Sequence, residues 1–218
     1  LSLNENKFFY HLQPQFDLTH KLRGFEALAR MKDDNGNYIS PVEFIPVAEK
    51  TGLVDRIDMC VFENAVQFIK NVAKDSGEEI LLSVNVSVRH LMKNNFIEDV
   101  KRVLNKHNVP PSMIEIEITE SIMIDSAEQA LQRIDELKQM GMKVAIDDFG
   151  TGYSSLSYLT NFPSDLLKID KSFIYKMNQS DSSKQYVAMI INIGHTLDLK
   201  VISEGVESPD QIEVLRDI

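Results

Sequence analysis

The sequence predicts a parallel α/β fold of barrel type. Short apolar runs alternate with amphipathic stretches of helical period, the pattern of strands paired in parallel and connected by helices. Chemistry-bearing side chains also stand on six of these runs, at or near the carboxyl end of five. Active sites of (β/α) barrels are assembled from such positions, whereas an open sheet draws on fewer strands near a switch point.

The runs, in order, are FFYHLQPQF, GFEALAR, ILLSVNVS, MIEIEIT, KVAID, LLKID and KVISEGV. Helix candidates cover 41–50, 55–75, 94–107, 126–140, 183–197 and 209–217. Only DLTHKLR separates the first two runs. That is too short for a crossover helix, so this pair is expected to be an antiparallel hairpin. Before the first helix, Ser40, Pro41 and Glu43 offer an N-cap, a proline at the first position and a capping-box glutamate. Lys106, His107 and Asn108, followed by Pro110 and Pro111, read as a helix end.

The bulk numbers bound the function. A chain of 218 residues, 43% hydrophobic and 26% charged, has ample material for a core and fits one large domain or two small ones. A formal net charge of −10 argues against polymeric nucleic acid as a partner. The single cysteine, Cys60, excludes an internal disulfide framework and reads as a buried small hydrophobe. This suits a reducing, cytoplasmic compartment. No apolar stretch is long enough to span a membrane.

The strand ends carry Glu26 within GFEALAR, Asn85, Glu117 and Glu120, the adjacent Asp147 and Asp148, Lys168 and Asp170, and Glu204 and Glu207. Taken singly, Glu207 reads more readily as a solvated loop residue, Asn85 is compatible with a turn, and Arg30 is equally compatible with a surface ion pair. In IEIEI the isoleucines face one way and Glu115 and Glu117 the other, so the acids are expected to point inward. A buried carboxylate needs a partner, and Lys168 is equally compatible with serving only as that partner. Together, however, the acids, the amide and the lysine describe a site. Oxygen donors without clustered His or Cys suit Mg²⁺ or Mn²⁺ rather than Zn²⁺. Two such ions roughly 3.5–4 Å apart are a known arrangement for phosphate-ester hydrolysis. The five histidines lie singly and read as surface or core residues.

EALAR (26–30), VNVS (84–87), EITE (117–120), DDFGTGYSSLSYL (147–159), LKID (167–170) and EGVE (204–207), in this order, resemble an EAL domain. That family comprises bacterial phosphodiesterases of cyclic di-GMP, and the resemblance runs from LQPQFD to the last residue. It implies a single EAL domain over 1–218, with the fold of a modified TIM (β/α)8 barrel whose first strand is antiparallel. The family's final strand is expected to be missing from this chain, which is taken as a fragment of a longer multidomain protein.

By motif match, the resemblance implies Glu26, Asn85, Glu117 and Asp147 as metal ligands, with Asp147 shared between two ions and Asp148 on the second. Asp170 and Glu207 would stand around the second metal. Glu26, Lys168 and Glu204 would be catalytic, Lys168 holding the attacking water or stabilising phosphate charge and Glu204 assisting as ligand or base. Gln13 and Arg30 match positions that contact the ligand, and Glu120 the glutamate that steadies the 147–159 loop, a region tied to homodimerisation. The implied reaction opens cyclic di-GMP to linear pGpG by in-line attack of a metal-activated water. An inactive domain that only binds the nucleotide is the alternative. An upstream sensor or GGDEF domain is the implied regulatory partner. After Arg30 the family usually continues with Trp and then His-Pro, where this chain reads Met31, Lys32 and onward.

Overall fold

A computed structural model describes residues 7–76, 80–122, 127–152 and 159–218. Two compact units account for the chain: residues 1–116 with 139–142, and residues 117–138 with 143–218.

The first unit opens with β1 (Phe8–Phe16) and β2 (Leu22–Lys32), which pair antiparallel. Their turn is fixed by Asp17, whose carboxylate accepts from Thr19 N at 2.8 Å, Thr19 Oγ1 at 2.6 Å and Lys21 N at 3.0 Å. A two-residue strand, β3 (Tyr38–Ile39), adds antiparallel to β2, and β4 (Leu81–Asn85) pairs parallel with it. The strand order here is β1-β2-β4-β5, where β5 (Ile114–Thr119) runs across the boundary between the units.

Helices α1 (Pro41–Thr51), α2 (Val54–Ser76), α3 (Val88–Leu91) and α4 (Phe96–His107) complete this unit. Glu43 returns its carboxylate to Ser40 N at 3.3 Å at the start of α1. Asn108 ends α4 in the left-handed conformation with φ 53°. In α4, Phe96, Ile97, Val100, Val103 and Leu104 recur at helical spacing and are all buried. Cys60 corrects the expectation of full burial: it is half-buried beside exposed Asn64, whose Nδ2 lies 3.5 Å from Sγ.

Glu115 is fully buried and is held by Arg23 and by Ser83 Oγ at 2.8 Å. Arg23, which also reaches Gln15, is the partner that a buried carboxylate requires. The sequence offered no pointer to it, because the two residues are far apart in the chain.

In the second unit the order is β5-β6-β7-β8, with β6 (Lys143–Phe149), β7 (Leu166–Ile169) and β8 (Lys200–Ser203). Around them lie α5 (Ala127–Gln139), α6 (Lys171–Met177), α7 (Asp181–Thr196) and α8 (Pro209–Asp217). Val144, Ala145, Ile146, Leu166, Leu167 and Ile169 are all buried, as continuous apolar runs of parallel strands should be. Helix α6 was not expected. It starts at Asp170, whose side chain accepts from Ser172 N at 3.0 Å as an N-cap. Its seven residues are too few for a clear helical period. Among the described residues no helix is long and apolar enough to cross a membrane.

Candidate active site

The strand that ends on two aspartates does not end regularly. β6 and β7 pair Ala145 with Leu166 and Ile146 with Leu167, and the next pair is Phe149 with Ile169. Asp147 and Asp148 therefore oppose the single residue Lys168, which is a β-bulge. In a regular strand adjacent side chains leave from opposite faces. The bulge, with Asp148 at φ 54°, removes that alternation. Asp147, Asp148 and Glu204 consequently offer carboxylate oxygens that lie within 4.8 Å of one another.

Lys168 stands at the centre of this unit's charges. It is 0% exposed, and its Nζ lies 2.7 Å from Glu117 Oε2, 2.7 Å from Glu204 Oε1 and 3.2 Å from Asp147 Oδ1. One ammonium cannot neutralise all these acids. Burial raises the Asp148 carboxyl above its ordinary value, the charges of Asp147 and Asp170 raise it further, and Lys168 and Lys171 oppose them. Among the described residues the half-buried cluster thus sets more carboxylates than ammonium groups together, and its three candidate ligands are all oxygens. A hard divalent cation fits that donor set. Asp170 contributes its field while capping α6. Glu207 is exposed and stands outside the Asp147–Asp148–Glu204 cluster, with its backbone N–H donated to Gln211 Oε1 at 2.7 Å.

The loop after the bulge is tied to Glu120, which is buried. Its Oε2 accepts from Gly150 N at 3.0 Å and Gly152 N at 3.1 Å, and its own N–H donates to Asp147 O at 3.1 Å. Gly150 has φ +98°, and a Cβ there would lie 2.9 Å from the Phe173 ring. A Cβ on Gly152 would press on the Glu120 carboxylate from 3.2 Å. Both glycines let the backbone approach closely. Residues 153–158, on which the expectation of a dimerising loop largely falls, lie outside the described residues.

The first unit carries the remaining expected residues. Glu26 is buried, and its Oε1 accepts from Asn85 Nδ2 at 2.8 Å across the parallel β2–β4 pair. Asp58 anchors the segment just beyond Asn85: its Oδ2 accepts from Ser87 N at 3.2 Å and Ser87 Oγ at 3.0 Å. That carboxylate also faces His90 Nδ1 at 3.1 Å, and the His90 ring stands edge-on to Phe96. His90 is thus a core histidine. Sequence reasoning missed Asp58, which shares a face of α2 with buried Val54, Val61 and Phe62 and carries no local signal of its partners. Gln13 is the register partner of Glu26, and Gln13 and Arg30 line one cavity of about 630 Å³ with Tyr10, His11, Leu12, Leu28 and Phe68. Among the described residues Arg30 forms no ion pair. Its Nη1 donates to the Ala29 carbonyl at 2.8 Å.

The family model of the EAL domain matches residues 1–218. The chain belongs to the EAL domain family. It is 39% identical over 215 residues to the signaling protein YkoW of Bacillus subtilis (strain 168), covering 98% of this chain and 27% of that protein. It is 36% identical over 209 residues to the cyclic di-GMP phosphodiesterase PdeR of Escherichia coli (strain K12), covering 95% of this chain and 31% of that protein. The EAL chain thus spans under a third of the length of these curated relatives. A solved structure of the PaMucR phosphodiesterase in complex with c-di-GMP superposes with a TM-score of 0.93 at 34% identity, covering 99% of this chain and 88% of that one. The fold class of this EAL domain is therefore the modified TIM-barrel class, mixed α/β with parallel strands and an antiparallel first strand.

Proposed function

We propose that this EAL domain hydrolyses cyclic di-GMP to linear pGpG with the help of divalent metal ions, Mg²⁺ or Mn²⁺, two per site. The observation that carries the reading is the bulge at Asp147–Asp148, which gathers three carboxylates beside a buried lysine with negative charge in excess. That arrangement is costly to an empty domain and useful to one that binds cations. The relatives named as cyclic di-GMP phosphodiesterases support the same substrate.

Asp147, Asp148 and Glu204 would hold the metal, with Glu117, Asp170 and Glu207 as further oxygen donors by motif match. Glu26 and Asn85 are proposed as ligands on the same motif match and on their mutual 2.8 Å contact. When bound, the ions would supply Lewis-acid polarisation of the phosphate and activation of a water. Lys168 brings a fixed positive charge, held by Glu117 and Glu204, to oppose charge developing on phosphate oxygens. Glu204 is half-buried and can take the proton of the attacking water. Water forms the new P–O bond at one phosphodiester while the bond to the ribose 3′ oxygen breaks and that oxygen takes up a proton, balancing the one Glu204 accepts, so the ring opens to a 5′-phosphate and a 3′-hydroxyl. Gln13 and Arg30 orient the nucleotide from their shared cavity. Glu120 fixes the Gly150–Gly152 backbone and, through it, the aspartate pair.

Homodimerisation through the 147–159 region, a cytoplasmic location and a sensor or GGDEF domain elsewhere in the parent chain belong to the same proposal. Incubation with cyclic di-GMP and Mg²⁺, followed by chromatography for pGpG, tests the function. Product formation supports hydrolysis. Tight binding with no product would favour a sensor module instead.

A further inference from the structure

The β1–β2–β3 ribbon of the first unit extends its Glu26 face well beyond the proposed ligands. The register sets Gln13 opposite Glu26, His11 opposite Leu28, Phe9 opposite Arg30 and Tyr38 opposite Lys32. Directly opposed residues share a face, and so do every second residue of β2. The other face of the ribbon is already occupied, with Phe8 against Phe44 and Phe25 against Phe68.

On the Glu26 face three rings meet, Phe9 half-buried and His11 and Tyr38 exposed. Phe9 lies 5.5 Å from His11 and 5.7 Å from Tyr38 between centroids, and Lys32 Nζ stands 5.2 Å over Phe9 and 4.9 Å over Tyr38. Tyr38 is 62% exposed and His11 is exposed as well. His11 also lines the cavity that Gln13 and Arg30 line. Among the described residues neither Arg30 nor Lys32 pairs with a carboxylate, in a chain of net charge −10. A ring cluster with a cation lying over two of its members is a combination that holds nucleotides, the base stacking on a ring face that the cation leaves open. Lysine and arginine donors suit the O6 and N7 acceptors of guanine, whereas adenine presents a donor at the equivalent position. Lys32 falls in the segment where this chain departs from the family's usual Trp and His-Pro.

We propose that Phe9, His11 and Tyr38, with Lys32 above them, form a guanine-binding platform for the base of the nucleotide substrate that lies farther from Glu26. The platform rests on the cyclic di-GMP reading for its ligand, but its test is a binding measurement and does not depend on turnover.

Titration calorimetry in EDTA compares cyclic di-GMP with cyclic di-AMP on wild type, Tyr38→Ala, Tyr38→Phe and Lys32→Met. Wild type should prefer cyclic di-GMP. Tyr38→Ala should weaken it about 5- to 150-fold, the loss of one stacked base, and Tyr38→Phe should bind as wild type. Lys32→Met should lose most of the guanine preference. Tyr38 is a surface residue, and an unchanged melting temperature will show that the fold is kept. Unaltered affinity in both Tyr38→Ala and Lys32→Met overturns the platform, even where hydrolysis is intact. Equal affinity for the two dinucleotides, or no binding by wild type, overturns it too. Binding with the expected losses but no hydrolysis upholds the platform and removes the catalytic reading alone.

Discussion

Lys168 Nζ lies 2.7 Å from Glu117 Oε2, and both side chains are shut away from solvent. A pair so buried stands or falls together, because removing one partner leaves an uncompensated charge where water cannot reach it. Lys168→Met should therefore destabilise the domain by about 3–5 kcal/mol and lower its melting temperature by roughly 2–4 °C per kcal/mol. Adding Glu117→Gln should recover part of that loss. A double-mutant cycle by thermal denaturation measures the coupling, and additive effects would show that the contact carries no energy.

Glu26→Ala should abolish turnover. Losing one ligand of a clustered metal site removes several kcal/mol of transition-state stabilisation, about a thousandfold or more in rate. Steady-state assays on the folded variant decide this. A variant that keeps its rate would show that Glu26 is not a metal ligand.

Much of this site was legible in the sequence, and the reasons are physical. Hydrophobic runs that stop on charged residues marked Asp147, Lys168 and Glu204, and the period-2 pattern of IEIEI turned Glu115 and Glu117 inward. The two glutamates nevertheless found different partners, Arg23 and Lys168, and alternation alone cannot say which is structural. The bulge was hidden for a similar reason. Adjacent aspartates in a strand imply opposite faces, and only the register of β7 reveals that both oppose one residue. Helix α6 and strand β3 were too short to carry a period, while Asp58 and the Phe9–Tyr38 cluster depend on contacts between distant segments.

Asp148 supplies a pH-dependent test. Its carboxyl is raised above its unfolded value, so ionisation is harder in the folded state. The penalty is present at pH above the folded value and disappears as pH falls below it. In EDTA at pH 7, Asp148→Asn should melt a few degrees above wild type, and the difference should shrink toward pH 4. Added Mg²⁺ should stabilise wild type more than the variant. Melting curves across pH check both statements. A variant less stable than wild type at pH 7 would contradict them.

Glu120→Ala leaves the Gly150 and Gly152 N–H groups without their acceptor, at a cost of about 1–3 kcal/mol. Hydrogen exchange at these two amides should accelerate sharply in the variant, with activity reduced. Exchange unchanged from wild type would mean that other groups hold the loop.

Metal held by the Asp147–Asp148–Glu204 cluster is proposed to drive phosphodiester cleavage. The direct measurement is turnover of cyclic di-GMP by protein stripped with EDTA, then titrated with Mg²⁺. No pGpG before addition and saturable recovery after it is the expected result. Hydrolysis at full rate in EDTA would show that the cluster works without metal.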